Sequence, residues 1–148
     1  MTTVRQLFES TAEVIGDRTH TRWLVEVAVS ADRVEDILDE EVTERMVAHL
    51  DAMVGRYRTG EPLQYVLGRW AFRHVDLFVD ERVLIPRPET EEVAGVAIEC
   101  ARAVEEARTV IDLGTGSGAI GLALATELPI DNTSIWMTDI SPDALAVA

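Results

Sequence analysis

The segment that decides the fold reads Val110-Ile111-Asp112-Leu113-Gly114-Thr115-Gly116-Ser117-Gly118. A strand-like apolar run leads directly into three alternating glycines, and a helical pattern begins at about Ala119. Glycine lets the backbone turn sharply and lets a ligand approach the main chain, because no Cβ stands in the way. The helix beyond it offers unpaired N–H groups and a partial positive charge, which suit a carboxylate or a phosphate. The segment therefore predicts a ligand-binding loop between a strand and a helix.

The spacing of the glycines allows two kinds of ligand. Gly116-x-Gly118-x-x-Gly121 satisfies the dinucleotide fingerprint, which is a weak signal by itself. However, the glycines begin at Gly114, and Asp112 lies just before them. A carboxylate there can meet the ammonium of the methionine portion of S-adenosylmethionine, directly or through the loop, whereas it would repel a pyrophosphate. The pattern favours S-adenosylmethionine, and an oxidoreductase fragment that binds a dinucleotide is the alternative.

A second acidic residue supports a nucleoside ligand. Asp139 closes the next strand pattern, 21 residues past Gly118. Its two carboxylate oxygens can accept both ribose hydroxyls, a device that nicotinamide and adenosylmethionine enzymes share. Asp139 therefore indicates a ribose without deciding which cofactor carries it.

The rest of the chain divides into three parts. Residues 1–60 show apolar residues at helical spacing, with Thr2 or Thr3 and Thr43 as caps. Residues 61–85 suggest a β-hairpin and a further apolar run at 83–85, and residues 86–148 alternate helix and strand. This order predicts an α/β protein. Two parallel strands make an incomplete sheet, so we expect the chain to be cut short.

Composition excludes several classes of function. The formal net charge is −14, which disfavours binding to nucleic acid or anionic lipid. No segment is apolar enough for a membrane span or a secretory signal. Cys100 is the single cysteine, which excludes a disulfide framework and makes the cytoplasm the expected location. Neither it nor the three histidines has metal-ligand spacing, and the three tryptophans are expected in the core.

Four stretches together resemble the HemK/PrmC family, the peptide chain release factor glutamine N5-methyltransferases. They are Gly60-Glu61-Pro62-Leu63-Gln64-Tyr65-Val66-Leu67-Gly68, then Phe72, then Val83-Leu84-Ile85-Pro86-Arg87-Pro88-Glu89-Thr90-Glu91, and Asp112-Leu113-Gly114-Thr115-Gly116-Ser117-Gly118-Ala119-Ile120. The resemblance covers the whole chain. It implies a small N-terminal helical domain that docks the substrate (1–60), a β-hairpin connector (61–85) and the first part of a class I methyltransferase Rossmann-like domain (86–148) with a truncated sheet.

The resemblance also implies an activity and a set of site residues. The activity is transfer of a methyl group from S-adenosylmethionine to a glutamine side-chain amide in the Gly-Gly-Gln loop of class I release factors. Gly114 to Gly118 (with Thr115, Gly116 and Ser117) and Asp112 would hold the methionine part, Asp139 the ribose, and Ile140 would lie beside the adenine. The segment containing Arg87, Pro88 and Thr90 would cover the methionine end, or would be a rigid connector.

The family's Asn-Pro-Pro-Tyr motif, which grips the acceptor amide, does not occur in the sequence. No catalytic residue is therefore predicted, and we expect this chain to be inactive alone. A second alternative is a non-catalytic docking module for the release factor, formed by the helical first part. Seven acidic residues between 32 and 44 fit a docking face for a basic partner, but a solvated helix surface is the simpler interpretation.

Overall fold

A computed structural model describes residues 2–148 as two compact units, one ending at Leu67 and one spanning Gly68–Ala148. The first unit is helical. The second combines helices with two short sheets, one of them parallel. The α/β class predicted from the sequence is therefore confirmed. The predicted limits at residues 60 and 85 were drawn from pattern alone, and the structural division falls at Leu67.

The first unit packs its helices around one apolar core. The elements are α1 (Val4–Ile15), α2 (Arg18–Val29), a 3₁₀ turn (Val34–Asp36), α3 (Glu44–Arg58) and α4 (Leu63–Leu67). Thr3 forms a capping box with Gln6, and the Thr43 hydroxyl caps α3, as the sequence predicted. Leu24, Leu50 and Met53 are buried in the core. Between α2 and α3, only a single 3₁₀ turn forms in the apolar stretch at 34–38.

The second unit begins with a hairpin and continues as a strand–helix alternation. Its elements are β1 (Arg69–Phe72), β2 (Val75–Phe78), α5 (Pro88–Arg102), β3 (Arg108–Leu113), α6 (Ala119–Glu127), β4 (Thr133–Thr138) and α7 (Pro142–Leu145). Strands β1 and β2 pair antiparallel, with Phe72 opposite Val75, which confirms the predicted hairpin. The apolar run 83–85 forms no strand. The Ser141 hydroxyl caps α7 by accepting from the Ala144 amide at 3.2 Å.

The parallel pair β3–β4 supports the Gly-rich loop. The register places Ile111 opposite Trp136 and Leu113 opposite Thr138. Helix α6 connects the two strands, and one face of the pair packs against α5 and α6 through Val110 and Ile135. Both strands thus end beside the loop, as parallel strands joined by a helical crossover must.

The opposite face of β3–β4 is exposed. Ile111 is 57% exposed, Leu113 79% and Trp136 63%. Side chains alternate between the faces of a strand, so these residues point away from α5 and α6. The expectation that Trp136 lies in the core is therefore wrong. Its side chain points to the face of β4 opposite that of Ile135, which packs against α5 and α6.

Candidate functional site

The Gly-rich loop depends on three glycines with left-handed backbone conformations. The φ angles are +75° at Gly114, +56° at Gly116 and +79° at Gly118. A Cβ added at Gly114 or Gly116 would meet no atom within 4 Å. Glycine is therefore needed there for its backbone conformation. The same open space lets a ligand lie directly against the main chain.

The loop is anchored to the end of the neighbouring strand. The amides of Gly114 and Thr115 both donate to the Thr138 carbonyl, at 2.8 and 2.9 Å. The Gly118 amide donates to the Thr115 carbonyl at 2.9 Å, which closes the turn before α6. The side chains of Thr115 and Ser117 are buried. Gly118 has no side chain to cap α6, and of the first N–H groups of that helix the Gly121 amide donates to the Asp112 carboxylate.

Asp112 is bound to the loop through one carboxylate oxygen. Its Oδ2 accepts from the Thr115 hydroxyl at 2.7 Å and from the Gly121 amide at 3.0 Å. These two donors fix the orientation of the carboxylate at the end of β3. Its Oδ1 accepts from neither of them and is the oxygen suited to a cationic group. The sequence pattern indicated the importance of Asp112 but gave no sign of the Thr115 and Gly121 donors.

Gly121 of α6 packs directly against Met137 of β4. A Cβ added there would stand 2.5 Å from Met137 Cγ and 2.7 Å from its Sδ. Only a residue without a side chain therefore lets α6 come this near to the strand. The contact also brings the Gly121 amide to Asp112. The sequence indicated Gly121 only as part of the dinucleotide fingerprint. Its packing partner, Met137, could not be predicted because the two residues are distant in the chain.

Asp139 holds both the loop and the start of α7. Its Oδ2 accepts from the Gly116 amide and its Oδ1 from the Ser141 amide, both at 2.9 Å. These backbone donors, with Ser141 contributing most, lower the pKa of Asp139 below its ordinary value. The group is therefore an anion at neutral pH. Each of its oxygens retains a second lone pair for a hydroxyl donor.

The remaining predicted residues lie on either side of this centre. Ile140 follows Asp139 and is fully exposed, with a relative exposure of 101%. Arg87 is the N-cap residue of α5, Pro88 is its first residue, and the Thr90 amide donates to the Arg87 carbonyl at 2.9 Å. The structure brings Asp112, the loop and Asp139 together by hydrogen bonds. Within residues 2–148 no hydrogen bond joins Arg87, Pro88 or Thr90 to the loop.

From residue 2 onward, no group of three or more His, Cys, Asp or Glu side chains is placed to hold a metal ion. In the same part of the chain, no helix has both the length and the apolar character needed to cross a membrane.

Two family models match the chain. Residues 4–68 match the model of the PrmC N-terminal domain. Residues 90–147 match a model described as lysine methyltransferase. The first match falls on the helical unit and the second on α5, the Gly-rich loop and Asp139. The helical unit is thus similar to the PrmC N-terminal domain and the loop-bearing unit to the lysine methyltransferase model.

The individual relatives share one name, release factor glutamine methyltransferase. The chain is 40% identical over 113 residues to the release factor glutamine methyltransferase of Lactococcus lactis, which covers 76% of this chain and 40% of the relative. Identity to the protein of that name in Escherichia coli is 41% over 110 residues, covering 74% and 38%. For Koribacter versatilis it is 36% over 155 residues, covering 99% and 54%. The chain therefore spans about half the length, or less, of these relatives.

Proposed function

Because the chain belongs to the PrmC family, we propose that it forms the cofactor-binding part of an S-adenosylmethionine-dependent methyltransferase. The proposed acceptor is the side-chain amide of the glutamine in the Gly-Gly-Gln loop of class I peptide chain release factors. The relatives' names support this acceptor. The expected location is the cytoplasm, where release factors act. The observation that carries the proposal is the hydrogen-bonded set of Asp112, the Gly-rich loop and Asp139 at the ends of two parallel strands.

The residues of the loop fit the proposed cofactor. The open space over Gly114 and Gly116 admits a ligand against the main chain, and the start of α6 suits the carboxylate of its methionine portion. Asp112 Oδ1 suits the ammonium, the second lone pairs of Asp139 suit two ribose hydroxyls, and exposed Ile140 offers apolar surface for the adenine. Arg87, Pro88 and Thr90 are proposed to cover the methionine end. Bound S-adenosylmethionine would supply an electrophilic methyl group.

The acceptor amide has its own requirements. Its nitrogen is a poor nucleophile because the lone pair is delocalised, so an active site must orient it with polar groups on the amide oxygen and hydrogens. We assign none of the described residues to that task. The proposal for this chain is therefore binding of the cofactor and presentation of its methyl group.

Calorimetric titration of the 148-residue chain with S-adenosylhomocysteine tests the proposal. We expect saturable binding, and no binding of NAD at the same concentrations. Asp139→Ala should weaken the affinity by at least about tenfold, since it removes both ribose acceptors. Asp131→Ala is the matched control, because Asp131 is an exposed loop residue on the approach to β4, and it should bind normally. Binding of NAD with indifference to adenosylhomocysteine would instead support the dinucleotide alternative.

The helical unit supports a second, compatible function. It has its own buried core and matches the PrmC N-terminal domain. We propose that it docks the release factor. Surface plasmon resonance with the full chain and a purified class I release factor tests this, and we expect binding that does not require adenosylhomocysteine. Absence of binding at micromolar release factor would refute the docking role and leave the cofactor proposal intact.

A further inference from the structure

The turn of the hairpin contains a residue in an unfavourable backbone conformation. Arg73 and His74 form the two-residue loop between Phe72 and Val75. The φ angle of Arg73 is +51°. Two-residue hairpin loops favour glycine, asparagine or aspartate at such positions, because a larger side chain is strained there. We therefore expect contacts of the arginine side chain to offset the backbone strain at this position.

The guanidinium of Arg73 contacts two helices. Its Nε and Nη2 donate to the two carboxylate oxygens of Glu127, at 2.6 and 2.8 Å, and its Nη1 donates to the Glu91 carbonyl at 3.1 Å. The Arg73 amide also donates to Glu91 Oε1 at 3.3 Å. The two side chains of the ion pair are only 22% and 13% exposed. This is the planar two-point geometry that arginine provides and lysine does not.

Helix α5 has a glycine, Gly95, at the position beside this guanidinium. A Cβ added at Gly95 would lie 3.3 Å from Arg73 Nη1. A side chain at that position would press on the guanidinium above it. The ion pair with Arg73 lowers the pKa of the Glu127 carboxyl below its ordinary value, so the pair is charged at neutral pH.

The two contacted residues belong to the elements that carry the proposed cofactor contacts. Glu91 follows Thr90 in the first turn of α5, within one turn of Arg87 and Pro88. Glu127 ends α6, and α6 begins directly after Gly118. A nine-residue helix is about 14 Å long, so Glu127 at the end of α6 is connected to the Gly-rich loop by two to three helical turns.

We propose that Arg73 is a positioning residue for the cofactor site. Its guanidinium fixes the first turn of α5 against α6 and thereby sets the spacing between the Arg87–Thr90 segment and the Gly-rich loop. This inference rests on the proposed function. Arg73 touches neither segment and acts through Glu91 and Glu127.

Arg73→Gly separates this role from a purely structural one. Glycine suits a φ of +51° and relieves the strain of the turn, which offsets part of the stability lost when Glu127 is left without its arginine partner, so the chain should remain folded at the temperature of the titration. The affinity for S-adenosylhomocysteine should fall about tenfold. Asp76→Asn is the matched control, because it removes the exposed 3.4 Å ion pair with Arg69 on the same hairpin, and within residues 2–148 Asp76 forms no ion pair with α5 or α6. It should bind as the unaltered chain does. Unchanged affinity in Arg73→Gly would overturn the inference.

Arg73→Lys tests whether geometry or charge matters. A lysine keeps the charge but cannot bind both oxygens of Glu127 and the Glu91 carbonyl together. The affinity of the Arg73→Lys variant for S-adenosylhomocysteine should therefore fall nearly as far as that of Arg73→Gly. Wild-type affinity in Arg73→Lys would overturn the inference in favour of a simple charge effect.

Amide hydrogen exchange provides a readout independent of ligand. Arg73→Gly should accelerate exchange of amides 91–95 at the start of α5 and leave those of β3 unchanged. Unchanged exchange at 91–95 would overturn the inference even if binding fell. Failure of the unaltered chain to bind adenosylhomocysteine is a different result. It would overturn the proposed function, and with it the positioning role.

Discussion

Glycine serves two different purposes at neighbouring positions of the second unit. At Gly114 and Gly116 it is required by a left-handed backbone, and space around the missing Cβ is open. At Gly121 the backbone is helical, and the missing Cβ makes room for Met137. The first purpose could be predicted from alternation of glycines after a strand. The second could not, because it depends on how close α6 lies to a residue 16 positions along the chain.

Gly121→Ala should destabilise the second unit by about 1–3 kcal/mol, the usual cost of overpacking a contact. The added methyl group would displace Met137 and weaken the hydrogen bond from the residue 121 amide to Asp112. These effects outweigh the better helix propensity of alanine. Urea denaturation followed by circular dichroism measures the change.

Gly55→Ala in α3 is the control for that substitution. Its Cβ would meet no atom within 4 Å. Alanine should therefore stabilise α3 by about 0.5–1 kcal/mol through helix propensity alone. A Gly121→Ala variant that gained stability in the same way would contradict the close packing of α6 on β4.

The long elements could be predicted from periodicity, whereas the short ones could not. Apolar residues at helical spacing and a threonine cap located α3, and alternation located both strands of the hairpin. Helix α4 has only five residues, too few for a period to emerge, and it fell within the predicted connector. Its formation follows Pro62, whose carbonyl accepts from the Tyr65 and Val66 amides. The exposure of Trp136 was missed because alternation alone does not tell which face of a strand is covered.

Thr43→Ala should lower the stability of the helical unit by about 1 kcal/mol, because the Thr43 hydroxyl accepts from the Met46 amide at the start of α3. Thermal denaturation followed at 222 nm checks this. Thr59→Ala at the other end of α3 is the control, since its exposed hydroxyl only donates to the Arg56 carbonyl. Equal losses in the two variants would argue against a specific role of the N-cap.

Carboxyl groups with partners in both units make the stability of the whole molecule sensitive to acid. Within residues 2–148, six side-chain carboxyl groups have pKa values below their ordinary range in the folded chain. Arginine partners lower the pKa of four of them, and backbone amides that of the other two. The six are Glu9, Asp17, Glu61, Asp80, Glu127 and Asp139. Three lie in each unit, so both units share this dependence.

Stability should be complete above the ordinary carboxyl pKa of about 4 and should fall as the pH drops through the lowered folded values. In that pH range the unfolded chain binds more protons than the folded chain, so lowering the pH reduces the free energy of unfolding. Urea titrations from pH 7 to pH 2.5 at constant salt measure it. A free energy of unfolding that rose below pH 4 would mean that relief of the −14 net charge dominates instead.

In a 148-residue chain produced by itself, the exposed side of the β3–β4 pair would affect how long the polypeptide persists in a cell. Ile111, Leu113 and Trp136 form adjacent apolar surface on otherwise acidic protein. Chaperones and proteases recognise surface of this kind and continually sort the molecules that display it. The abundance of the polypeptide is then determined by its half-life as well as by its rate of synthesis. A polar residue in place of Trp136 would lengthen that half-life without touching the loop that binds the ligand.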